Sequence, residues 1–197
     1  MRWFSLCAVL GAVLLPAVNA LPCRPDTTVT TTSATTTSTS EPTASIYNGD
    51  FEGEDLSVWQ ERTVTIENDS TKAASGSHYA KFAFNNQYGS GGNHLNQTIN
   101  GLDTSRMYRL SFSGAVLGLP PTLGSATCEM QALLGGVVKK SWPISNFVVG
   151  VYKSYSTELS VNNEDLTLTL RLRCTDQNKV TIEFGVDDVG LTEITSN

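Results

Sequence analysis

Carboxylates at the two ends of a segment of about 150 residues are the side chains best suited to chemistry. Asp50 and Glu52 flank Phe51 near its start, and Asp187 and Asp188 stand together near its end. The alternation predicts a first strand with both early carboxylates on the face opposite Phe51. Carboxylates that share a face repel each other unless a cation or hydrogen bonds satisfy them. We therefore expect the two ends to meet around a hard cation, which prefers oxygen ligands. The alternative is that these groups accept backbone hydrogen bonds in turns.

Aromatic rings beside amide side chains form a second candidate site. Sugars bind by laying apolar faces on such rings, while amides and carboxylates hydrogen-bond their hydroxyl groups. Trp142 lies between two lysines and a proline, a context that predicts an exposed turn. The predicted sugar-binding residues are Trp142, Tyr88, Tyr152, Asn86 and Gln87. The alternative is that these rings pack singly on the rim of a domain. Trp59, by contrast, is expected in the core.

The motifs at the two ends resemble the carbohydrate-binding modules of the cenC type, which are found in bacterial and fungal secreted proteins. They are the turn 48–52, Trp59, the small-residue loop 73–77 and the closing strand 187–191. The resemblance covers residues 46–194. It implies an antiparallel jelly-roll β-sandwich, like that of galactose-binding domains.

The resemblance also implies a structural calcium ion. In family members an acidic residue of the first strand, an aspartate of the last strand and backbone carbonyls of an early loop hold the ion. The matching residues here are Glu52, Asp187 and Asp188, with the loop that begins at Lys72. Such an ion would hold the chain ends together and would take no part in catalysis.

An enzymatic function has little support in the sequence. His78 and His94 stand in no recognisable catalytic motif. A small glycoside hydrolase or lyase on a jelly roll remains an alternative, because two carboxylates across a cleft are enough for that chemistry. The net charge of −6 and the lack of a basic stripe argue against nucleic acid as a partner.

The chain divides into three segments. Residues 1–20 predict a signal peptide, with a basic start, an apolar run too short for a confident membrane span, and small residues at the end. Residues 21–45 predict a disordered linker, because fourteen of the nineteen residues in 27–45 are Thr or Ser. This composition favours O-glycosylation over a bare chain. Residues 46–197 form the predicted β-sandwich domain.

Alternating apolar residues predict the strands of that domain. In 165–174 leucines occupy one face while threonines and arginines occupy the other, and 106–113 and 180–186 show the same period of two. This pattern is typical of half-buried antiparallel strands.

Cysteines and sequons complete the prediction. Cys128 and Cys174 lie in phase with apolar faces, so we expect a disulfide between them, which implies an oxidising compartment. Cys23 is left over in the linker. Asn68 and Asn96 begin N-glycosylation sequons.

The sequence therefore predicts a secreted, non-catalytic protein that binds a polysaccharide or cell-wall glycan outside the cell or in its wall. The alternative is a structural or adhesive cell-surface glycoprotein that keeps the fold without binding sugar. Neither nucleic acid nor a membrane span is expected.

Overall fold

Strands dominate the computed structural model, which describes residues 45–175 and 178–195. The period-two segments of the sequence fall inside them, because alternation lets each strand bury one face. Within the described residues the strands are β1 (Gln60–Arg62), β2 (Val64–Asn68), β3 (His78–Tyr88), β4 (Asn93–Ile99), β5 (Met107–Thr122), β6 (Thr127–Leu134), β7 (Val137–Pro143), β8 (Lys153–Ser160), β9 (Leu166–Thr175) and β10 (Lys179–Ile194). A single 3-10 turn, Ile144–Asn146, is the only helical element among them.

The strands form two antiparallel sheets of five. The first sheet has the order β1-β4-β9-β6-β7, and the second has the order β2-β3-β10-β5-β8. Neighbours in each order are mostly distant in sequence, as the crossing connections of a jelly roll require. The predicted antiparallel jelly-roll β-sandwich is confirmed.

The core lies between the two sheets. The leucines of β9 at 166, 168, 170 and 172 are buried, while Thr167 is exposed and Arg171 is half-buried on the opposite face. Phe112 and Phe184 of the second sheet belong to the same core cluster. Trp59 is also buried, with its ring 5.5 Å from that of Phe51, so its predicted place in the core is confirmed.

The predicted strand around Asp50 and Glu52 is wrong. Residues 47–53 form turns, because Asn48 and Phe51 both adopt positive φ. The Asn48 side chain accepts a hydrogen bond from Gly53 N at 2.8 Å. The backbone carbonyl of Asn48 accepts bonds from Phe51 N and from the Trp59 indole. Asn tolerates this left-handed conformation better than most residues. The directions of the side chains in these turns are therefore set by the hydrogen bonds of Asn48, and they do not alternate as in a strand.

The predicted disulfide is confirmed. Cys128 of β6 and Cys174 of β9 are directly opposed across the first sheet and are bonded to each other. The bridge closes a loop with a sequence separation of 46, which corresponds to about 4 kcal/mol in the loop-entropy model.

The predictions for the N-terminal segments lie outside the described residues. These are the signal peptide at 1–20, nearly all of the linker at 21–45, and Cys23. Within the described ranges, no helix has the length and apolar character needed to cross a membrane.

Candidate functional site

Glu52 joins the first turns of the domain to the start of β3. One carboxylate oxygen accepts bonds from the backbone N–H groups of Ser77 and His78, each at 2.5 Å. The other accepts bonds from the Ser77 hydroxyl at 3.1 Å and from His78 Nδ1 at 3.0 Å. The His78 bond is the largest of the effects that lower the pKa of Glu52 to about 2. All the acceptor positions of this carboxylate are therefore in use.

Asp187 joins the loop before β3 to the last strand. Its Oδ2 accepts bonds from Ala74 N at 2.9 Å and Ser75 N at 3.1 Å, and its Oδ1 accepts one from Asp188 N at 2.7 Å. Burial nevertheless raises the pKa of this carboxyl to about 6, with the backbone bonds to Ser75 and Asp188 opposing the rise. Asp188 is exposed and accepts bonds from the hydroxyls of Ser75 and Ser113.

The structure therefore brings Glu52, the loop after Lys72, Asp187 and Asp188 together, but their arrangement does not fit calcium. N–H and O–H donors occupy the carboxylates, and the Lys72 ammonium pairs with Asp69 at 3.0 Å. Among the described residues, no three acidic, histidine or cysteine side chains are grouped so as to hold a metal. The resemblance predicts calcium and these donors argue against it, and the melting experiments in the Discussion decide between the two.

The predicted exposure of Trp142 is wrong, and the second predicted platform, Tyr152, is half-buried. Trp142 is only 6% exposed, because β7 directs it into the core, where its ring meets that of Phe112 edge-on at 5.1 Å. Tyr152 packs against a small cluster on the other side of the second sheet that contains Tyr79. Burial raises the pKa of the Tyr152 hydroxyl, which has no hydrogen-bond partner among the described residues. Trp142 therefore offers no exposed ring face to a ligand, whereas Tyr152 is half-buried.

The other three predicted sugar-binding residues are exposed at the end of β3. Asn86 adopts positive φ, and its N–H donates to the Thr181 hydroxyl at 3.1 Å. Tyr88 is 59% exposed, and the Lys179 ammonium lies 5.9 Å from its ring centroid. Gln87 lies between them. Sugar binding by Asn86, Gln87 and Tyr88 stays a prediction.

The two sequons lie on different sheets. Asn68 is exposed at the end of β2 in the second sheet. Asn96 is half-buried in β4 of the first sheet, and its register partners are Gln60 and Thr169. Glycosylation at both stays a prediction.

A polar surface on the first sheet was not anticipated as a site. It is the face of that sheet turned away from the core, and we call it the arginine face. Strand register places Arg62, His94, Arg171 and Gln131 in one row across four strands. The arginine face consists of Arg62, His94, Asn96, Glu129, Gln131, Ser141, Thr169, Arg171 and Arg173.

A chain of hydrogen bonds orders the middle of the arginine face. Arg171 donates from Nε and Nη2 to Gln131 Oε1, at 2.7 and 2.5 Å. Gln131 donates onward to Glu129 Oε1 at 2.5 Å and to the Ser141 hydroxyl at 3.4 Å. Gln131 is only 5% exposed although it points away from the core. The surrounding polar side chains therefore hold one another in fixed positions, as a preorganised binding surface requires.

Two buried polar atoms on the arginine face have no partner. Three buried side-chain atoms among the described residues lack a hydrogen bond, and His94 Nε2 and Arg173 Nε are two of them. Burial and the nearby Arg171 charge lower the pKa of His94, while a hydrogen bond with the Gly91 backbone opposes the fall. The neutral ring then offers Nε2 as an acceptor, and Arg173 Nε is a donor. Buried polar atoms normally have a hydrogen-bond partner. These two atoms therefore favour a ligand that donates a hydrogen bond to His94 Nε2 and accepts one from Arg173 Nε.

A groove lies at the β1–β4 edge of the same sheet. Gln97 holds the backbone of Tyr47 with two hydrogen bonds of 2.8 Å, one in each direction. The Tyr47 ring is 63% exposed and lines a groove of about 480 Å³ with Gln60, Thr98 and Asn100. Tyr47 thus combines a fixed backbone with an available aromatic ring.

The sequence carried only part of the signal for this site. Its alternation in β9 put Arg171 and Arg173 on one face, but nothing local distinguished that face from an ordinary solvated one. Cross-strand register, which brings in Gln131 and His94 from distant positions, was needed to define the site.

Comparison with known proteins shows the class of fold. No family model and no curated protein matches the sequence. The chain is similar to the structure of TmCBM61 in complex with β-1,4-galactotriose, with a TM-score of 0.53, 16% identity, and coverage of 76% of this chain and 97% of that chain. It is also similar to the CBM22-1–GH10 modules of Clostridium thermocellum endo-1,4-β-D-xylanase 10B complexed with xylohexaose, with a TM-score of 0.51, 15% identity, and coverage of 76% of this chain and 29% of that chain.

A third similar structure is an exo-β-agarase, with a TM-score of 0.53, 11% identity, and coverage of 79% of this chain and 26% of that chain. At these identities the likeness concerns the fold. The fold is the jelly-roll sandwich of carbohydrate-binding modules.

Proposed function

We propose that the protein is an exported, non-catalytic polysaccharide-binding protein, with the arginine face and the Tyr47 groove as its binding surface. The observation that carries the proposal is the pair of buried, unpartnered atoms, His94 Nε2 and Arg173 Nε, on an otherwise hydrogen-bonded polar face. A sugar hydroxyl both donates and accepts, so it has the chemistry to pair with either atom.

The fold and the bridge support this proposal. Similar folds have been solved with β-1,4-galactotriose and with xylohexaose. The Cys128–Cys174 disulfide is typical of oxidising compartments, in agreement with export of the chain. Fold alone does not give function, so the surface chemistry has to be tested directly.

The test is calorimetry and affinity electrophoresis of the purified protein against galactan, xylan, β-glucan, chitin, mannan and polygalacturonate, with reducing-end release measured alongside. His94→Ala and Tyr47→Ala should each weaken binding by about 1–2 kcal/mol, a factor of roughly 5–30. Tyr88→Ala is the matched control, because it removes an exposed ring from the end of β3.

Each outcome bears on a different part of the proposal. Loss of binding in Tyr88→Ala but not in His94→Ala would move the site to Asn86, Gln87 and Tyr88. Release of reducing ends by the wild type would place the protein among the enzymes. A folded protein that binds no glycan would instead support a structural or adhesive glycoprotein.

A further inference from the structure

The arginines of this chain differ in how their charge is compensated. Arg106 pairs with Asp103 and Glu193, and Arg109 pairs with Glu158. Among the described residues, the three remaining arginines form no ion pair, and all three lie on the arginine face: Arg62, Arg171 and Arg173. In the part of the chain that the structure describes, the arginines that form no ion pair are therefore concentrated on one surface.

Within the described ranges, the acidic group on this face forms no ion pair with these arginines, although its charge opposes the fall in the pKa of Arg171 that burial and Arg173 cause. Glu129 is the only acidic side chain that register places there among the described residues, and it lies opposite Arg173. Its carboxylate instead accepts the bond from the Gln131 amide, and no ion pair with Arg173 forms. Arg171 gives Nε and Nη2 to the neutral Gln131 carbonyl. A half-buried guanidinium without an ion-pair partner is costly, so an anion bound beside it would be favoured.

The spacing suits a linear polyanion. Arg171 and Arg173 are two residues apart on one strand and share a face, which separates their Cα atoms by about 7 Å. Arg62 lies in a different direction from Arg171, two strands away in the row that crosses the sheet through His94. Guanidinium groups bind carboxylates and other oxyanions through two parallel hydrogen bonds, which gives direction as well as charge.

The face lacks the usual means of holding a neutral sugar. Among the described residues, none of the strand side chains on this face is Trp, Tyr or Phe. The exposed ring of Tyr47 lies at the β1–β4 edge, and the strand side chains of the face itself offer charge and hydrogen bonds.

We infer that the ligand of the arginine face is an anionic polysaccharide whose acidic groups are bound by Arg171 and Arg173, with Arg62 at the edge of the row. The inference rests on the proposed function and narrows it to one class of glycan. The acidic group is a uronate carboxylate or a sulfate ester. Both are oxyanions to which a guanidinium can donate two parallel hydrogen bonds.

The experiment compares three kinds of glycan with the full-length purified protein. Polygalacturonate and alginate carry carboxylates, carrageenan carries sulfates, and galactan and xylan are neutral. We expect at least tenfold tighter binding to one anionic class than to the neutral glycans, and weaker binding as salt increases. Tight binding to polygalacturonate or alginate would identify the acidic group of the ligand as a carboxylate, and tight binding to carrageenan would identify it as a sulfate. Either result supports the inference.

Matched substitutions locate the effect. Arg171→Gln and Arg173→Gln should each reduce anionic-glycan binding more than tenfold, whereas Arg109→Gln on the second sheet should leave it unchanged. Thermal unfolding shows whether each variant folds. Arg173→Lys keeps the charge but not the fork, so partial recovery relative to Arg173→Gln is expected and serves as the test if the glutamine variants do not fold.

Two results would overturn the inference, and they differ in what they leave standing. In the first, the protein binds neutral glycans, His94→Ala abolishes this binding and the arginine variants do not affect it. This result would reject the anionic ligand but would still support the proposed function. No binding to any glycan removes both, and binding of poly-glutamate through Arg171 would then point to an acidic peptide.

Discussion

The imidazole Nδ1 of His78 lies 3.0 Å from the carboxylate of Glu52, 26 residues earlier in the chain. The same carboxylate accepts the backbone N–H groups of Ser77 and His78. One acidic side chain thus ties the N-terminal turns of the domain to the first residues of β3. Because those bonds need the ionised form, this attachment depends on pH.

Loss of the Glu52 charge should weaken the fold in acid. Its pKa is lowered to about 2 from 4.5, so it contributes stability above pH 4.5 that is lost as pH falls toward 2. Glu52→Gln should therefore lower the melting temperature at pH 7 and flatten its fall below pH 4.5. Melting curves from pH 2 to 7 measure this, with exposed Glu54→Gln as the control. An acid fall as steep in Glu52→Gln as in the wild type would contradict it.

Asp187 should act in the opposite direction. Burial raises its pKa to about 6 from 3.8, so the folded state binds a proton that the unfolded state releases. The stabilising effect is present below pH 3.8 and is lost as pH rises through 6, with a size on the order of 3 kcal/mol. Relative to the wild type, Asp187→Asn should therefore become less destabilising as pH rises from 4 to 7. Denaturant unfolding at each pH measures the difference.

A constant difference between Asp187→Asn and the wild type across that pH range would show that Asp187 does not titrate there. The comparison is made against the wild type because His94, whose pKa is lowered, changes stability in the opposite direction over part of the same range. Subtraction removes that shared contribution.

The fold followed from local pattern, whereas the site required long-range pairing. Alternation in β5, β9 and β10 predicted half-buried strands, and the phase of Cys128 and Cys174 predicted their bridge. Local composition failed for Trp142, because the neighbouring lysines and proline suggested a turn where β7 continues and directs the ring inward. Alternation failed around Asp50, where the hydrogen bonds of Asn48 override it.

The expectation that the two ends of the domain meet agrees with the bond from Val189 N to Gly49 O, but sequence could not reveal the donors around the carboxylates. Which atoms face the Glu52 and Asp187 carboxylates depends on the backbone of the loop 74–78, whose N–H groups point at them. Similarly, register places Glu129 opposite Arg173, and only the structure shows that its carboxylate bonds to Gln131 and forms no ion pair with Arg173.

Calcium and hydrogen bonding give different outcomes for the same residues. A calcium ion bound to the folded state alone would raise the melting temperature by mass action, and a chelator would lower it. Because donors already fill the acceptor positions of Glu52, we expect the melting temperature to be the same with added calcium and with chelator. Scanning calorimetry at pH 7 in both conditions checks this.

The Glu52→Gln variant separates the two explanations further. It should melt below the wild type by the same amount in calcium and in chelator, since the bonds it removes are to Ser77 and His78. A wild type that melts higher in calcium, with the difference erased in Glu52→Gln and Asp187→Asn, would instead establish the calcium site.

N-glycosylation of Asn96 should block glycan binding. Asn96 lies on the arginine face, in register with Gln60 and Thr169, whereas Asn68 lies at the end of β2 in the second sheet. A bulky glycan on Asn96 would cover the surface that holds His94 and Arg171.

Protein secreted by a glycosylating host should therefore separate on a column of immobilised ligand, the best-binding glycan of the panel above. The retained fraction should lack a glycan on Asn96, and the unretained fraction should carry one. Peptide mass spectrometry of both fractions measures occupancy, with Asn68 as the internal control that should be equally occupied in each. Equal occupancy of Asn96 in the two fractions would show that ligand binds elsewhere on the sandwich.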